Sequence, residues 1–415
     1  VMNPDCNLIM TNPPFGTSEG DSLTDNDKSQ FKVNTTKGQY LFLQKMIDST
    51  VSGGEICTVI DEGVLNTNTG IELRKYILEK CYVRAVINLP AETFKPNKIN
   101  VKSSVLYLEK KENVDIDFED KYNVTFCKID SLGYNGSGDK IRDFDTAKFL
   151  KEIRENVLNY RLGCNRQGYH WTAYDISSDL ITNDFSVRLD YKYWEPQFRK
   201  TLNDLQEKNC LTIKDLSMIS ISRGSSPNAD CYVDEKDGYA LVIKAGSNIG
   251  KFGNILKTSD SDWIEKSLYD EYLQRAKDKM ENKNIVKKGD VLLASTGDGT
   301  LGKCCVYTED IPAIADGHVT IIRVNTEIIN PYYLADYLRC GFGKQQIISF
   351  YSGSTGLIEL TPEQVAAIVV DHTGDKKNLE IQQKISNNIR EKEKAYIKQI
   401  QEAENMLLSI DTVWG

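Results

Sequence analysis

Over the first hundred or so residues, short apolar runs alternate with amphipathic stretches. Asn7 to Met10 is apolar and stops at Asn-Pro-Pro, which predicts a strand ending there. From Gln39 to Ser49, Leu41, Phe42, Met46 and Ile47 predict a helix with those four side chains inward. After the turn Ser52-Gly53-Gly54, Glu55 to Ile60 reads as a buried strand, Ile71 to Lys80 as a second helix and Val83 to Leu89 as a third strand. Val101 to Glu109 alternates apolar and polar residues and predicts a fourth strand. Strands alternating with helices predict a parallel α/β sheet. The link between the last two strands is too short for a crossover helix, so that pair is expected to be antiparallel.

The pattern then loosens. Asn113 to about Asn209 reads as a connector packed on the first domain, with helices predicted from Thr146 to Tyr160 and Gln197 to Glu207. From Leu211 onward, short β-like runs (Tyr239 to Lys244, Asp290 to Ser295, Val319 to Val324) stand between Gly/Ser/Asn/Asp loops. Helices follow near Tyr332 to Arg339 and Lys344 to Phe350. One long helix is expected from about Leu379 to Leu408, with Ile381, Ile385, Ile389, Tyr396, Ile400, Ala403 and Leu407 three, four or seven apart. The expected division is therefore 1–112, 113–209, 210–372 and 373–415. The fold class is α/β followed by α+β.

Composition narrows the chemistry. The chain has 415 residues, 40% of them hydrophobic and 27% charged, ample for two cores. The ten cysteines include no Cys-x-x-Cys pair and there are only three histidines, so no metal site is expected. No apolar run approaches the roughly 20 residues that span a bilayer. Reduced thiols and the lack of a leader-like start predict a cytoplasmic protein. The net charge of −9 argues against tight non-specific DNA binding, though a local basic face would suffice for specific binding.

The informative segment is Leu8-Ile-Met-Thr-Asn12-Pro13-Pro14-Phe15-Gly16. An exocyclic amine is a poor nucleophile because its lone pair is delocalised into the ring. Two acceptors aimed at its hydrogens favour a pyramidal nitrogen whose lone pair can attack a methyl donor. The Asn12 side-chain oxygen is one such acceptor and the Pro13 carbonyl, held by the rigid Pro13-Pro14 pair, is the other. Phe15 offers a flat face for a base removed from the duplex. No general base is needed. On four residues alone, a simple turn after a strand explains the motif as well.

The wider sequence resembles the N6-adenine methylase family of type I modification subunits and related fused restriction–modification enzymes. The resemblance continues through Lys37-Gly38-Gln39-Tyr40-Leu41-Phe42, Gly53-Gly54-Glu55, Gly63-Val64-Leu65 and Leu73-Arg74-Lys75. It runs on through Ala85-Val86-Ile87-Asn88-Leu89-Pro90, Thr93-Phe94-Lys95-Pro96 and Val101 to Leu108, about a hundred residues in family order. It implies that Phe94 is a second aromatic at the target base, and that S-adenosylmethionine is the methyl donor. It also implies that the main cofactor loop lies upstream of Asn12, so that only the C-terminal strands of a Rossmann-like sheet are present and the chain alone is inactive. Asp61 departs from the family's usual proline. The glycine-rich run Ser295 to Gly302 leads into a strand and fails as a nucleotide loop.

The later part resembles the target-recognition domain of type I specificity subunits. The resemblance rests on Leu211 to Leu216, Ser222-Arg223-Gly224, Gly289 to Ser295, Gly302-Lys303, Asn330 to Leu334, Gly353-Ser354-Thr355-Gly356 and Leu360 to Glu363. By residue type, Arg223, Lys244, Lys303, Arg323 and Lys344 are candidate phosphate or base contacts. The expected function is site-specific adenine-N6 methylation of double-stranded DNA within a restriction–modification system, with a restriction or modification subunit as a possible partner. The alternatives are a non-catalytic DNA-binding or assembly module with a vestigial half-methylase, and an amine methyltransferase acting on RNA or protein. The long helix is expected to pack on the methylase domain of its own chain, giving a monomer rather than a helix-mediated dimer.

Overall fold

The computed structural model describes residues 5–99, 101–112, 121–158, 166–278, 284–353, 358–375 and 378–411. The first four residues, parts of the expected connector, the end of the helix expected to reach Tyr160, and Ser354, Thr355 and Gly356 of the glycine motif lie outside them. The chain forms two compact units, residues 1–200 with 352–357, and residues 201–351 with 358–415.

The first unit is built on a seven-stranded sheet in the order β1-β2-β4-β3-β5-β7-β6. Strands β1 (Cys6–Thr11) and β2 (Thr50–Asp61) are parallel, with Thr11 opposite Thr58. Strand β4 (Ser103–Lys110) lies antiparallel between β2 and β3 (Cys81–Asn88). The short 89–102 link therefore makes the antiparallel pair that its length demands. This topology brings the C-terminal ends of β1, β2 and β3 to one edge of the sheet, beside the start of β4.

The stretch expected to be a connector instead contributes strands to the same sheet. Strand β5 (Asn123–Ile129) pairs parallel to β3, and β7 (Trp171–Ser177) and β6 (Arg166–Gly168) follow antiparallel. Val124, Phe126 and Cys127 are fully buried, which supplies the apolar area that orders so short a strand. The predicted helix from Thr146 is regular only over Thr146–Ile153.

Helix α1 (Gly38–Ser49) buries Tyr40, Leu41, Leu43, Met46 and Ile47. Phe42, expected inward, is 39% exposed. Leu43 takes its place because positions 40, 43 and 47 fall on one side of a 3.6-residue helix and position 42 does not. Asp61, the departure from the family's proline, caps the helix α2 (Glu62–Asn66). Its carboxylate accepts from the Gly63 N–H, and its own N–H donates to Gln39 Oε1 at 3.0 Å. Helix α3 (Ile71–Lys80) has the predicted bounds and buries Leu73, Tyr76 and Ile77.

In the second unit, one four-stranded sheet has the order β10-β9-β14-β11 and the other β13-β12-β15-β8. The first sheet is made by β9 (Ala240–Ile243), β10 (Trp263–Ile264), β11 (Ile285–Val286) and β14 (Ala313–Ala315). The second is made by β8 (Ser222–Arg223), β12 (Val291–Ala294), β13 (Cys304–Val306) and β15 (Val319–Ile322). Leu241, Ile243, Leu292, Ala294, Ala315 and Ile321 share one core. Helices Pro331–Cys340 and Phe342–Phe350 follow, and the long helix runs over Leu379–Asp411.

The face the long helix turns to its own unit is largely polar. Gln382 and Ser386 are buried, whereas Ile381, Ile385, Tyr396, Ile400 and Leu407 are exposed. Polar partners decide the orientation. Gln382 Oε1 accepts from the Asn330 N–H at 2.8 Å, Arg339 pairs with Glu393 and Asp336, and Arg390 pairs with Asp336 at 3.2 Å. Rotating the apolar stripe inward would leave these buried charges without partners, a cost of several kcal/mol.

Candidate active site

At the edge where β1, β2 and β3 end, Asn12 follows directly on Thr11, the last residue of β1. The Asn12 residue is exposed, and its amide has no hydrogen-bond partner among the described residues, whereas Pro13 is buried. Two prolines remove both a donor and φ freedom, so this segment leaves the sheet in a fixed direction. Gly16 follows with φ +68°, a left-handed conformation that frees the chain to turn back toward α1. The half-buried ring of Phe15 meets Phe94 edge to face, with ring centroids 5.5 Å apart. Residues 79 positions apart in the chain thus converge where the motif points.

Phe94 is presented by the link from Leu89 to Lys102, which is braced by tight internal turns. The Thr93 N–H donates to Pro90 O, Lys95 to Glu92, Asn97 and Ile99 to Phe94, and Lys98 to Lys95. Its two roots are closed by Leu89 N–H to Ser103 O at 3.0 Å and Glu62 N–H to Lys102 O at 3.1 Å.

Behind these roots lies a cluster of buried charge that sequence reasoning did not pick out. The Glu62 side chain, 8% exposed, accepts a short hydrogen bond from Asn88 Nδ2. Burial pushes the Glu62 carboxyl above the usual carboxylate range, against the pull of Lys192, Lys102 and the Asn88 hydrogen bond. Lys192 is partly exposed as a residue, yet its ammonium is enclosed and burial holds it well below its ordinary value. Nearby, buried Arg188 and Asp190 form a forked pair at 2.6 and 2.7 Å. Arg74 donates to the carbonyls of Val64, Ser186 and Val187, tying α2 to the segment that leads to Lys192. The only sequence signal for Glu62 is an acidic residue directly after a buried strand.

Asn66, at the end of α2, is bound to the 352–357 segment counted with this unit. Its Oδ1 accepts from Gly353 N–H at 2.9 Å, and its carbonyl accepts from Ser352 Oγ at 3.1 Å.

The five basic candidates of the second unit separate by environment. Arg323 is forked onto Asp290 at 2.6 and 2.7 Å, and Arg223 donates to Glu359 and to Leu360 O. Lys244 pairs with Asp262 and lies over the Tyr232 ring. Lys303 is half-buried and Lys344 exposed, and neither side chain pairs with a carboxylate among the described residues. The Ser295 to Gly302 run joins the antiparallel strands β12 and β13, with Gly297, Gly299 and Gly302 all at positive φ. It is a hairpin turn. In the first unit the run Gly133 to Gly138 lies between β5 and the helix Thr146–Ile153 and is closed on itself by Asn135 N–H to Asp139 O and Ile141 N–H to Gly133 O.

Residues 2–197 match the family described as N-6 DNA Methylase. The methylase subunit of the type I restriction enzyme StySPI of Salmonella potsdam is 30% identical over 108 residues, which are 26% of this chain and 19% of that protein. The EcoKI methylase subunit of Escherichia coli K12 has the same identity and coverage. The chain thus spans about a fifth of the length of these relatives. Among solved structures, the type IIG restriction endonuclease BpuSI aligns over 93% of this chain and 49% of its own, at 12% identity and a TM-score of 0.38. Within the matched region lie Asn12, Pro13, Phe15, Glu62, Asn88 and Phe94. No helix among the described residues is long and apolar enough to cross a membrane.

Proposed function

We propose that this chain is part of a restriction–modification methyltransferase that transfers a methyl group from S-adenosylmethionine to adenine N6 in double-stranded DNA. The observation that carries this reading is the exposed, unpartnered Asn12 amide beside the Phe15–Phe94 pair, at the edge where parallel strands end. Asn12 Oδ1 and the Pro13 carbonyl accept the two amine hydrogens, which leaves the nitrogen lone pair free for the methyl carbon. The aromatic faces hold the base once it has left the stack.

The first unit, with catalytic residues Asn12, Pro13, Pro14 and Phe15, performs the transfer, and residues 210–372 read the DNA sequence. Lys303 and Lys344 are favoured as DNA contacts because their charges are not spent on a carboxylate. The Ser295 to Gly302 run, a strand-to-strand hairpin, is not favoured as a cradle for the methyl donor. Leu8 and Met10 of the edge strand β1 are 54% and 72% exposed, which favours completion of the sheet by further strands on that side. The chain alone is therefore expected to bind DNA without methylating it.

Transfer of labelled methyl groups to duplex DNA by the full-length protein, with RNA and protein as competing acceptors, tests the proposal. Adenine-N6 product that requires Asn12 supports it. Methylation of RNA or protein in preference to DNA would overturn it.

A further inference from the structure

Glu62 touches both roots of the link that carries Phe94. Its backbone N–H holds Lys102 at the returning root, and its carboxylate holds Asn88 at the outgoing one. Between those roots the tight turns from Pro90 to Ile99 leave little internal freedom, so the roots set where the Phe94 ring stands. The same edge carries Asn12, because β1 and β2 are parallel and Glu62 lies just beyond the end of β2. Building on the proposed function, we infer that Glu62 is a positioning residue for methyl transfer, acting through Asn88 to hold Phe94 in register with Phe15 for the extruded base.

A buried acid is an expensive way to tie a loop, since an amide or hydroxyl would accept the Asn88 hydrogen bond without the desolvation. The surrounding groups explain why a charge is tolerated here. Lys192 and Lys102 counter it, and Asp190 is occupied by Arg188. The charged acceptor gives a shorter, stronger and more directional hydrogen bond than a neutral one. Directionality matters more than strength, because a small displacement of a positioned group costs on the order of 10²-fold in rate. Glu62 itself need not touch the base or the methyl donor.

The test uses the full-length protein and DNA carrying 2-aminopurine at the target adenine, whose emission reports stacking on the aromatic pair. Glu62→Ala and Asn88→Ala are each expected to lower kcat about 10- to 100-fold and to raise 2-aminopurine emission. KM for DNA should stay within about twofold, because phosphate contacts dominate affinity. Glu62→Gln, which still accepts the Asn88 hydrogen bond, should recover most of the lost turnover. The double alanine variant should be no slower than the slower single variant, as expected of two residues acting through one contact. Should Glu62→Ala fail to fold, Asn88→Ala with thermal unfolding as a control carries the same comparison. Turnover and emission unchanged in Asn88→Ala, or losses in kcat and DNA affinity by the same factor, would overturn the inference. If Asn12→Ala also leaves turnover intact, the assignment of the site falls instead, so the two failures are distinguishable.

Discussion

Phe15 and Phe94 stand edge to face with their ring centroids 5.5 Å apart, in direct contact with one another. A base stacked between two parallel rings needs them about 7 Å apart, roughly twice the stacking distance. The pair therefore has to open before it can hold a base, by rotation of the side chains, because turns brace the link that carries Phe94. Phe94→Ala should speed extrusion of the base, seen as faster 2-aminopurine signal growth, yet lower turnover about tenfold because one stacking face is lost. A variant with unchanged turnover would show that the second ring is core packing.

On the proposed mechanism, Asn12→Ala removes one of two acceptors aimed at the amine. Loss of a single oriented group at a reacting centre costs on the order of 10²–10³ in rate. Because affinity for DNA rests on phosphate contacts elsewhere, filter binding should change less than about threefold. Near-normal turnover in single-turnover assays would refute the chemistry assigned to the motif.

The Asn12 to Phe15 motif stands out in the sequence because a strand, two prolines and an aromatic are all contiguous. Helix Ile71–Lys80 was legible to the residue because its apolar period is unbroken. Strand β5 was not, since seven residues after a run rich in acids carry too little periodicity, and only pairing with β3 and β7 orders them. Glu62 does not stand out in the sequence because its burial, its bond to Asn88 and its proximity to Lys192 are properties of the fold. Phe94 was legible only through resemblance, as it lies 79 positions from Phe15.

Among the basic candidates, Arg323 is 15% exposed and its partner Asp290 2%. Breaking such a pair leaves a buried carboxylate uncompensated, so Arg323→Ala should cost about 3 kcal/mol of stability in urea unfolding. Lys344→Ala should leave the unfolding midpoint within about 0.5 kcal/mol, yet weaken DNA binding and flatten its salt dependence. The reverse pattern, a stable Arg323 variant with weakened DNA binding, would assign Arg323 to the nucleic acid.

Burial holds the His372 imidazole below its ordinary value, so the folded state favours the neutral ring. Below the unfolded value near 6.5 the unfolded chain binds the proton that the fold resists, so this contribution to stability is complete above that pH and is lost as pH falls through the folded value. Between pH 7.5 and 5.0 the parent should lose more thermal stability than His372→Gln, by about 2–4 °C for each kcal/mol involved. Parallel pH profiles for the two proteins would show that His372 does not titrate in this window.

The long helix Leu379–Asp411 turns Gln382, Ser386, Arg390 and Glu393 toward its own unit and leaves Ile381, Ile385, Tyr396, Ile400 and Leu407 exposed. A stripe of this kind, on a helix of 33 residues that is about 50 Å long, is stable in water only at a cost that association removes. Two such helices packed antiparallel about a two-fold axis would bury the stripe reciprocally, giving two identical readers and an inverted-repeat DNA site. Such a dimer predicts a mass that rises with concentration above the 46.9 kDa of one chain in light scattering. Ile385→Lys with Ile400→Lys changes only exposed positions, so it should return the mass to one chain while leaving the unfolding midpoint unchanged. A concentration-independent mass of one chain in the parent would instead favour a monomer reading a short asymmetric site.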